Sequence, residues 1–554
     1  MAGSSATSRS FAAAVVALHS PSSSAADRSQ ANEWLIAFSC DASAGDVCEA
    51  ALLSHAADVN QQVFAAAILT KQQQVAVSRL LELCAPPACV QAVRGLACAI
   101  ADATTIARAE DSLLAAAGFI TLSAQRQTIL LQALAESLAQ QASAEELRAR
   151  PSVVAACAAA VGGLQAALID HLPPPVEPQL RQAPTPHAPH QPGASAGSAV
   201  DPRAALACLS SWASCGVLDF TTLAESFPAL FGALHSALDP HALMADASGL
   251  RLTGAARSAE VFRACLQCTL DADESLEAAT CAPLVAVLGR WCHVGGGAFS
   301  LRSLGAPTID ASSGLSDGGG PYAESCGELA ANLAGMAALI LELLVDDVDA
   351  FLASPASESE LQVAINALLA CSDHPLSVAA EVAAEGWLCL LAALPPAAAG
   401  EAQLRRAQLF SDVVRRTLLR SSHAQLRSGT GEDKEDLEQW RARSAAPLLA
   451  ACSEALGAAN WWPALLATIR STADVEALEV ALFCAACTSP RCIGDNWAHE
   501  GRAQIRLQIE QSMQGLDALA PPAGVKEAGA VANVTAWNAI RGTADMCLQH
   551  LADT

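Results

Sequence analysis

Gly193-Ala194-Ser195-Ala196-Gly197 has the G-x-S-x-G spacing of a nucleophile elbow, where a strained strand-to-helix turn exposes a serine for acyl transfer. Its flanks are proline-rich and low in complexity, so neither strand nor helix is there to hold such a turn. Two C-x-x-C pairs, Cys265/Cys268 and Cys484/Cys487, have the spacing of a zinc knuckle. A structural zinc takes four ligands, and these pairs stand far apart in the chain. Each lies in an apolar helical stretch (VFRACLQCTL and VALFCAACTS), which makes them core thiols instead. Trp291-Cys292-His293 runs into a glycine-rich stretch with no second ligand cluster. The triplets Gly295–Gly297 and Gly318–Gly320 lack the lysine and the strand-to-helix setting of a phosphate loop. Asn533-Val534-Thr535 is a glycosylation sequon that only a secreted protein would use. The residues therefore predict no catalytic set, no cofactor and no metal.

What positions these residues is helix. Of the 554 residues 52% are hydrophobic, 16% charged and 4% aromatic, and alanine and leucine dominate. Alanine favours helix and lets helices approach closely, while β-branched residues are sparse. Leu361, Ile365, Leu368 and Leu369 make one helical stripe. Ser372-Asp373-His374-Pro375 breaks it, and Pro375 is expected in the first turn of the next helix. That second helix carries Val378, Val382, Trp387, Leu388 and Leu391 as its main bulky apolar positions and ends at Pro395-Pro396. Leu333, Met336, Leu339, Ile340, Leu343 and Leu344 make a stripe just upstream. Similar stripes lie at 46–53, 59–69, 75–84, 88–103, 126–139, 204–213, 258–270, 281–292, 404–419, 444–456 and 475–487, with no alternating strand pattern between them.

Helices without strands over this length predict an all-α fold, a right-handed superhelical solenoid of HEAT/ARM-like helical hairpins with a period near 40 residues. Residues 173–202 are proline-rich and read as a linker, 293–321 as a glycine-rich insertion, and 428–439 (SGTGEDKEDLEQ) as an acidic loop leading into a helix at Trp440. The net charge of −25, from 31 basic and 56 acidic residues, argues against nucleic acid or an anionic membrane as the main partner and permits a basic protein partner. No strongly apolar run of about 18 residues is read, so no membrane span is expected. Residues 11–18 (FAAAVVAL) read as a first amphipathic helix in preference to a leader peptide. The 20 cysteines are spread along apolar stretches, as buried reduced thiols of a cytosolic or nuclear protein would be.

Residues 204–234 then resemble a stretch shared by the transportin-SR and importin-thirteen branch of the importin-β superfamily. The specific part is Cys208, Leu209, Ser211, Trp212, Gly216, Val217, Leu218 and Asp219. Trp34, Leu35 and Phe38, then Phe64, Ala65, Ala66 and Leu69, resemble the importin N-terminal pattern, with Lys71 slightly displaced from the family's usual lysine. Residues 96–102 resemble the helix that opens the exportin-like domain. Leu368, Leu369, Cys371, His374, Pro375 and Trp387 resemble its helix pair ending in Trp. Residues 435–443 resemble its acidic loop-to-helix junction, with Leu437 and Trp440 in place of an aromatic pair, and 477–487 resemble a later helix.

The resemblance implies a nuclear transport receptor without enzymatic activity. It would bind the GTP form of the small GTPase Ran, protein cargo such as Ser/Arg-rich splicing factors, and nucleoporins, and shuttle between nucleus and cytoplasm. The importin N-terminal and exportin-like repeats would span 1–150, with HEAT-like repeats over 203–292 and 322–554. Inward-facing helices around 46–140 would dock Ran. Lys71, Glu432, Asp433, Glu435 and Asp436 are the candidate partner-contact residues, and Phe64 and Trp212 are read as core. Arg405, Arg406, Arg415 and Arg416 form a basic stripe that aligns elsewhere than the family's cargo-gripping arginine helix. Resembled chains run well past Thr554, so the sequence reads as an N-terminal portion, an incomplete gene model ahead of a shortened member. A HEAT scaffold or adaptor without Ran dependence is the other class.

Overall fold

A computed structural model describes residues 2–71, 77–85, 88–107, 122–169, 201–245, 249–272, 278–293, 321–353, 360–395, 400–422, 434–457, 460–462, 465, 475–488, 507 and 510. Among them there is helix and turn and no strand. Two compact units are present. One holds residues 1–237 with 260–274, and the other 238–259 with 275–554.

The first unit runs α1 (Ala2–His19), α2 (Ala25–Ser39), α3 (Ala44–Leu52), α4 (Val59–Lys71), α5 (Val77–Leu83), α6 (Val90–Ala107), α7 (Ala124–Gln141), α8 (Ala144–Arg148), α9 (Pro151–Ile169), α10 (Pro202–Ser214), α11 (Phe220–Ser226) and α12 (Pro228–Ala237). Helices α4, α6, α7 and α10 form a row, each packed on the next, while α3, α5 and α9 pack against α4, α6 and α10. That is the stacked-hairpin arrangement, in which a pair buries its apolar stripe only against its neighbours. Residues 11–18 do lie in a helix, and Phe11 and Val15 are buried there.

Sharp starts have local causes. Ser24 caps α2 through a reciprocal box with Asp27, and Ser143 caps α8 with Glu146 in the same way. Asp219 accepts from the Thr222 backbone N–H at 2.6 Å to start α11. Polar side chains then tie hairpin to hairpin. The Arg126 guanidinium donates to the carbonyls of Cys84 and Ala88 at 2.7 and 2.6 Å. Arg148 reaches the Gly216 and Cys268 carbonyls, each at 3.3 Å. Gly216 has φ +77°, and a Cβ there would lie 2.4 Å from that of Ala144, so the turn requires glycine.

In the second unit lie α13 (Pro240–Ala245), the first part of α14 (Gly249–Asp271), α15 (Ala278–His293), α16 (Pro321–Leu343), α17 (Val345–Ala353), α18 (Glu360–Ser372), α19 (Ser377–Ala393), α20 (Glu401–Arg420), α21 (Lys434–Trp440), a π turn (Arg441–Ala445), α22 (Ala446–Leu456) and α23 (Val475–Ala486). Two rows are evident: α15, α18 and α20 pack in succession, and so do α16, α19 and α22. The all-α, HEAT-like solenoid reading of the sequence holds on this stacking.

Large anchors join these rows. Trp291, Trp387, Trp440 and Trp461 are buried, and each indole N–H finds an acceptor outside its own helix. The acceptors are the Leu238 carbonyl (2.9 Å), Ser372 Oγ (2.9 Å), Ser421 Oγ (3.3 Å) and Thr488 Oγ1 (2.9 Å). A buried indole that kept an unpaired N–H would forfeit part of its apolar gain.

The pair at 359–394 appears as α18 and α19, with two corrections. Leu376 is the N-cap of α19, so Pro375 stands before the cap and not in the first turn. The seam of α19 is made by small residues: Ala379, Ala380, Ala383, Ala384 and Gly386 are buried with Trp387 and Leu390, while Val378 is 47% exposed. The reason is close approach to α16, where a Cβ on Gly386 would fall 2.4 Å from that of Ala338.

A third correction concerns apolar length. Ser325–Leu343, 19 residues with mean hydropathy 1.4, is long and apolar enough to cross a membrane. It is 78% buried, against α18 and α19 among others, as a core helix is. The expected linker at 173–202 and insertion at 293–321 lie almost wholly outside the described residues.

Candidate functional site

Lys71 ends α4, the first member of the row in the first unit, and is exposed. A cation in a last helical turn is favoured by the helix dipole. Glu435 and Asp436 lie together in the second unit, exposed in the first turn of α21, where a carboxylate is favoured for the same reason. Glu432 and Asp433 fall outside the described residues. The expected acidic loop therefore ends sooner than its sequence suggested. Helix begins at Lys434, stabilised by the two first-turn carboxylates and a Lys434–Glu438 ion pair at 3.3 Å, and Trp440 ends α21.

The opposite side of α21 buries Leu437 and Trp440. Beneath them is a polar knot. Arg441 makes a two-pronged ion pair with the two carboxylate oxygens of Glu479 on α23, both contacts at 2.7 Å. Its remaining donors meet the Ser421 carbonyl, and its guanidinium sits 4.9 Å from the Phe483 ring centre. The guanidinium of fully buried Arg420 stacks 5.6 Å from the Trp440 ring. Arg441 opens the π turn, where the extra residue re-aims the helix. Sequence reasoning missed this knot. Its one signal was Glu479, a carboxylate directly before the apolar VALFC stretch of α23.

The basic stripe of α20 is neutralised within the fold. Arg405 pairs with Glu401, Arg406 with Asp349, Arg415 with Asp412 and Arg416 with Asp373. Arg406 and Arg416 are drawn inward, and Asp373 is 2% exposed in the turn between α18 and α19. Only Arg415 is exposed, beside Asp412, while Arg405 is half-buried beside Glu401. Four arginines in sequence thus do not make a free cationic surface.

Cys265, Cys268 and Cys484 lie in helices and are buried, and Cys487 is half-buried in the turn just after α23. Burial pushes the thiol pKa of Cys48, Cys84, Cys208, Cys215, Cys281 and Cys452 up to about 12, and Cys157 and Cys265 well above the ordinary value. Such thiols are packing groups, not nucleophiles. Trp212 is buried, and Phe64 is half-buried, edge-on to His19 at 5.6 Å. Among the described residues no three His, Cys, Asp or Glu side chains converge to hold a metal. Ser195 lies outside them.

The described cavity is an apolar groove of about 1060 Å³ between α20 and α23. Leu404, Ala407, Val414 and Leu418 line one wall, and Trp461, Val480, Ala481 and Cys484 the other. Asp412 and Arg415, paired at 3.2 Å, bring charge to it. Such a lining can hold apolar side chains of a peptide or helix. It offers no acid–base pair for chemistry.

No family model matches the sequence, and no curated protein matches it. In structure the chain is similar to Kap95p from a study of its binding to RanGDP, at 14% identity and TM-score 0.29, over 98% of this chain and 67% of that one. It is similar to Kap121p at 12% identity and TM-score 0.26, over 97% and 57%. It is also similar to the karyopherin Kap121p bound to the extreme C-terminus of the protein phosphatase Cdc14p, at 12% identity and TM-score 0.28, over 95% and 56%. The chain thus spans 56–67% of the length of these structures. At such TM-scores the likenesses carry nothing about function.

Proposed function

We propose that the chain is part of a nuclear transport receptor of the transportin-SR kind, a binding protein without enzymatic activity. Its partners in this reading are Ran in the GTP form, basic protein cargo and nucleoporins, and it shuttles between cytoplasm and nucleus. The observation that carries the reading is the order of the sequence motifs along stacked helices. Trp34, Leu35 and Phe38 fall in α2, Ala65, Ala66 and Leu69 in α4, Cys208, Leu209 and Trp212 in α10, and Leu368, Leu369 and Cys371 in α18. Except for half-buried Trp34, all of these are buried. His374 and Pro375 occupy the turn before Trp387 of α19. Single matches to apolar helix faces are common, but several in the same order as the family's repeats are not.

Charge agrees with it. A chain of net charge −25 steers a basic surface toward itself, and the α20 arginines do not offset this locally. The helices within 46–140, α4, α6 and α7, are the proposed Ran surface, with Lys71 at the end of α4. Glu435 and Asp436, with Glu432 and Asp433 before them, are the proposed contact for a basic partner. Release of cargo by Ran requires that the two favour different states of the receptor. A pulldown with Ran locked in its GTP or GDP state tests the reading: retention of the GTP form alone supports it, and equal or absent retention overturns it.

A further inference from the structure

We draw no further inference here: the strongest candidate, the apolar groove of about 1060 Å³ between α20 and α23, belongs to the site already described, and nothing in the structure shows what covers it.

Discussion

Replacing Gly386 with alanine tests how tightly α16 and α19 are packed. The added Cβ would meet the Ala338 Cβ at 2.4 Å, with the Ala338 Cα at 3.5 Å and Leu368 Cδ1 at 3.6 Å. Carbon atoms rest at roughly 3.5–4.0 Å, so the two helices must part by about 1 Å. The obstacle is a methyl on a helix backbone, which cannot rotate away. Overpacking of this kind costs about 1–3 kcal/mol. Alanine recovers about 1 kcal/mol of helix propensity over glycine. The net expectation is a loss of about 0–2 kcal/mol, combining the two effects. Gly163 on α9 is the control, since nothing lies within 4 Å of a Cβ built there. Gly163→Ala should gain the full propensity term, about 1 kcal/mol. Adding Ala338→Gly to Gly386→Ala removes the clashing methyl and should restore most of the loss. Urea unfolding followed by circular dichroism measures all of these. If Gly386→Ala stabilises the protein as Gly163→Ala does, the helices are not in contact at that point and the stacking argument fails.

Glu479→Gln should destabilise the second unit by about 3–5 kcal/mol, because Arg441 keeps its charge in a buried setting with its carboxylate partner gone. The double change Arg441→Met/Glu479→Leu should cost less than Glu479→Gln alone, and a urea series that found it costlier would contradict the buried pair. The buried thiols set an alkaline limit. Their folded pKa lies near 12 against an ordinary 9.0, so their stabilising effect is whole below about pH 9 and is lost as pH rises toward about 12. The loss is up to about 1.4 kcal/mol per thiol per pH unit in that window. A thiol reagent at pH near 8 should label exposed Cys40, Cys98 and Cys389 and leave Cys48 and Cys452 untouched until the fold opens; equal labelling would refute the burial. Reversing charge with Glu435→Lys/Asp436→Lys should cost about 1–2 kcal/mol of stability, because two cations replace two carboxylates in the first turn of α21. It should slow association with a basic partner and flatten the salt dependence of that rate, read by stopped flow.

Bulky stripes were legible because leucine, isoleucine and tryptophan repeat at helical spacing. Leu361 to Trp387 gave both helices of a pair and the turn between them. Alanine seams were not, since alanine suits core and surface alike. Nothing in α19 alone says that Gly386 sits in the tightest contact with the neighbour while Val378 stays half exposed; that needs Ala338 on another helix. Charge was legible as a sum and not as a pattern. Arg406 and Arg416 read as part of a basic stripe, and their partners Asp349 and Asp373 come from other helices and turns. Glu435 and Asp436 read as loop because acidic residues favour both loops and helix starts, and the buried Leu437 and Trp440 decide for the helix. The Arg441–Glu479 knot depends on a pairing 38 residues apart, which one sequence does not reveal.

The most direct measurement is a titration of the 554-residue chain with Ran in its GTP and GDP states, reading both dissociation constants under one salt condition. A transport receptor predicts tighter binding of the GTP form by tenfold or more, about 1.4 kcal/mol. Equal constants, or no binding of either form, would contradict it and leave a helical scaffold with other partners.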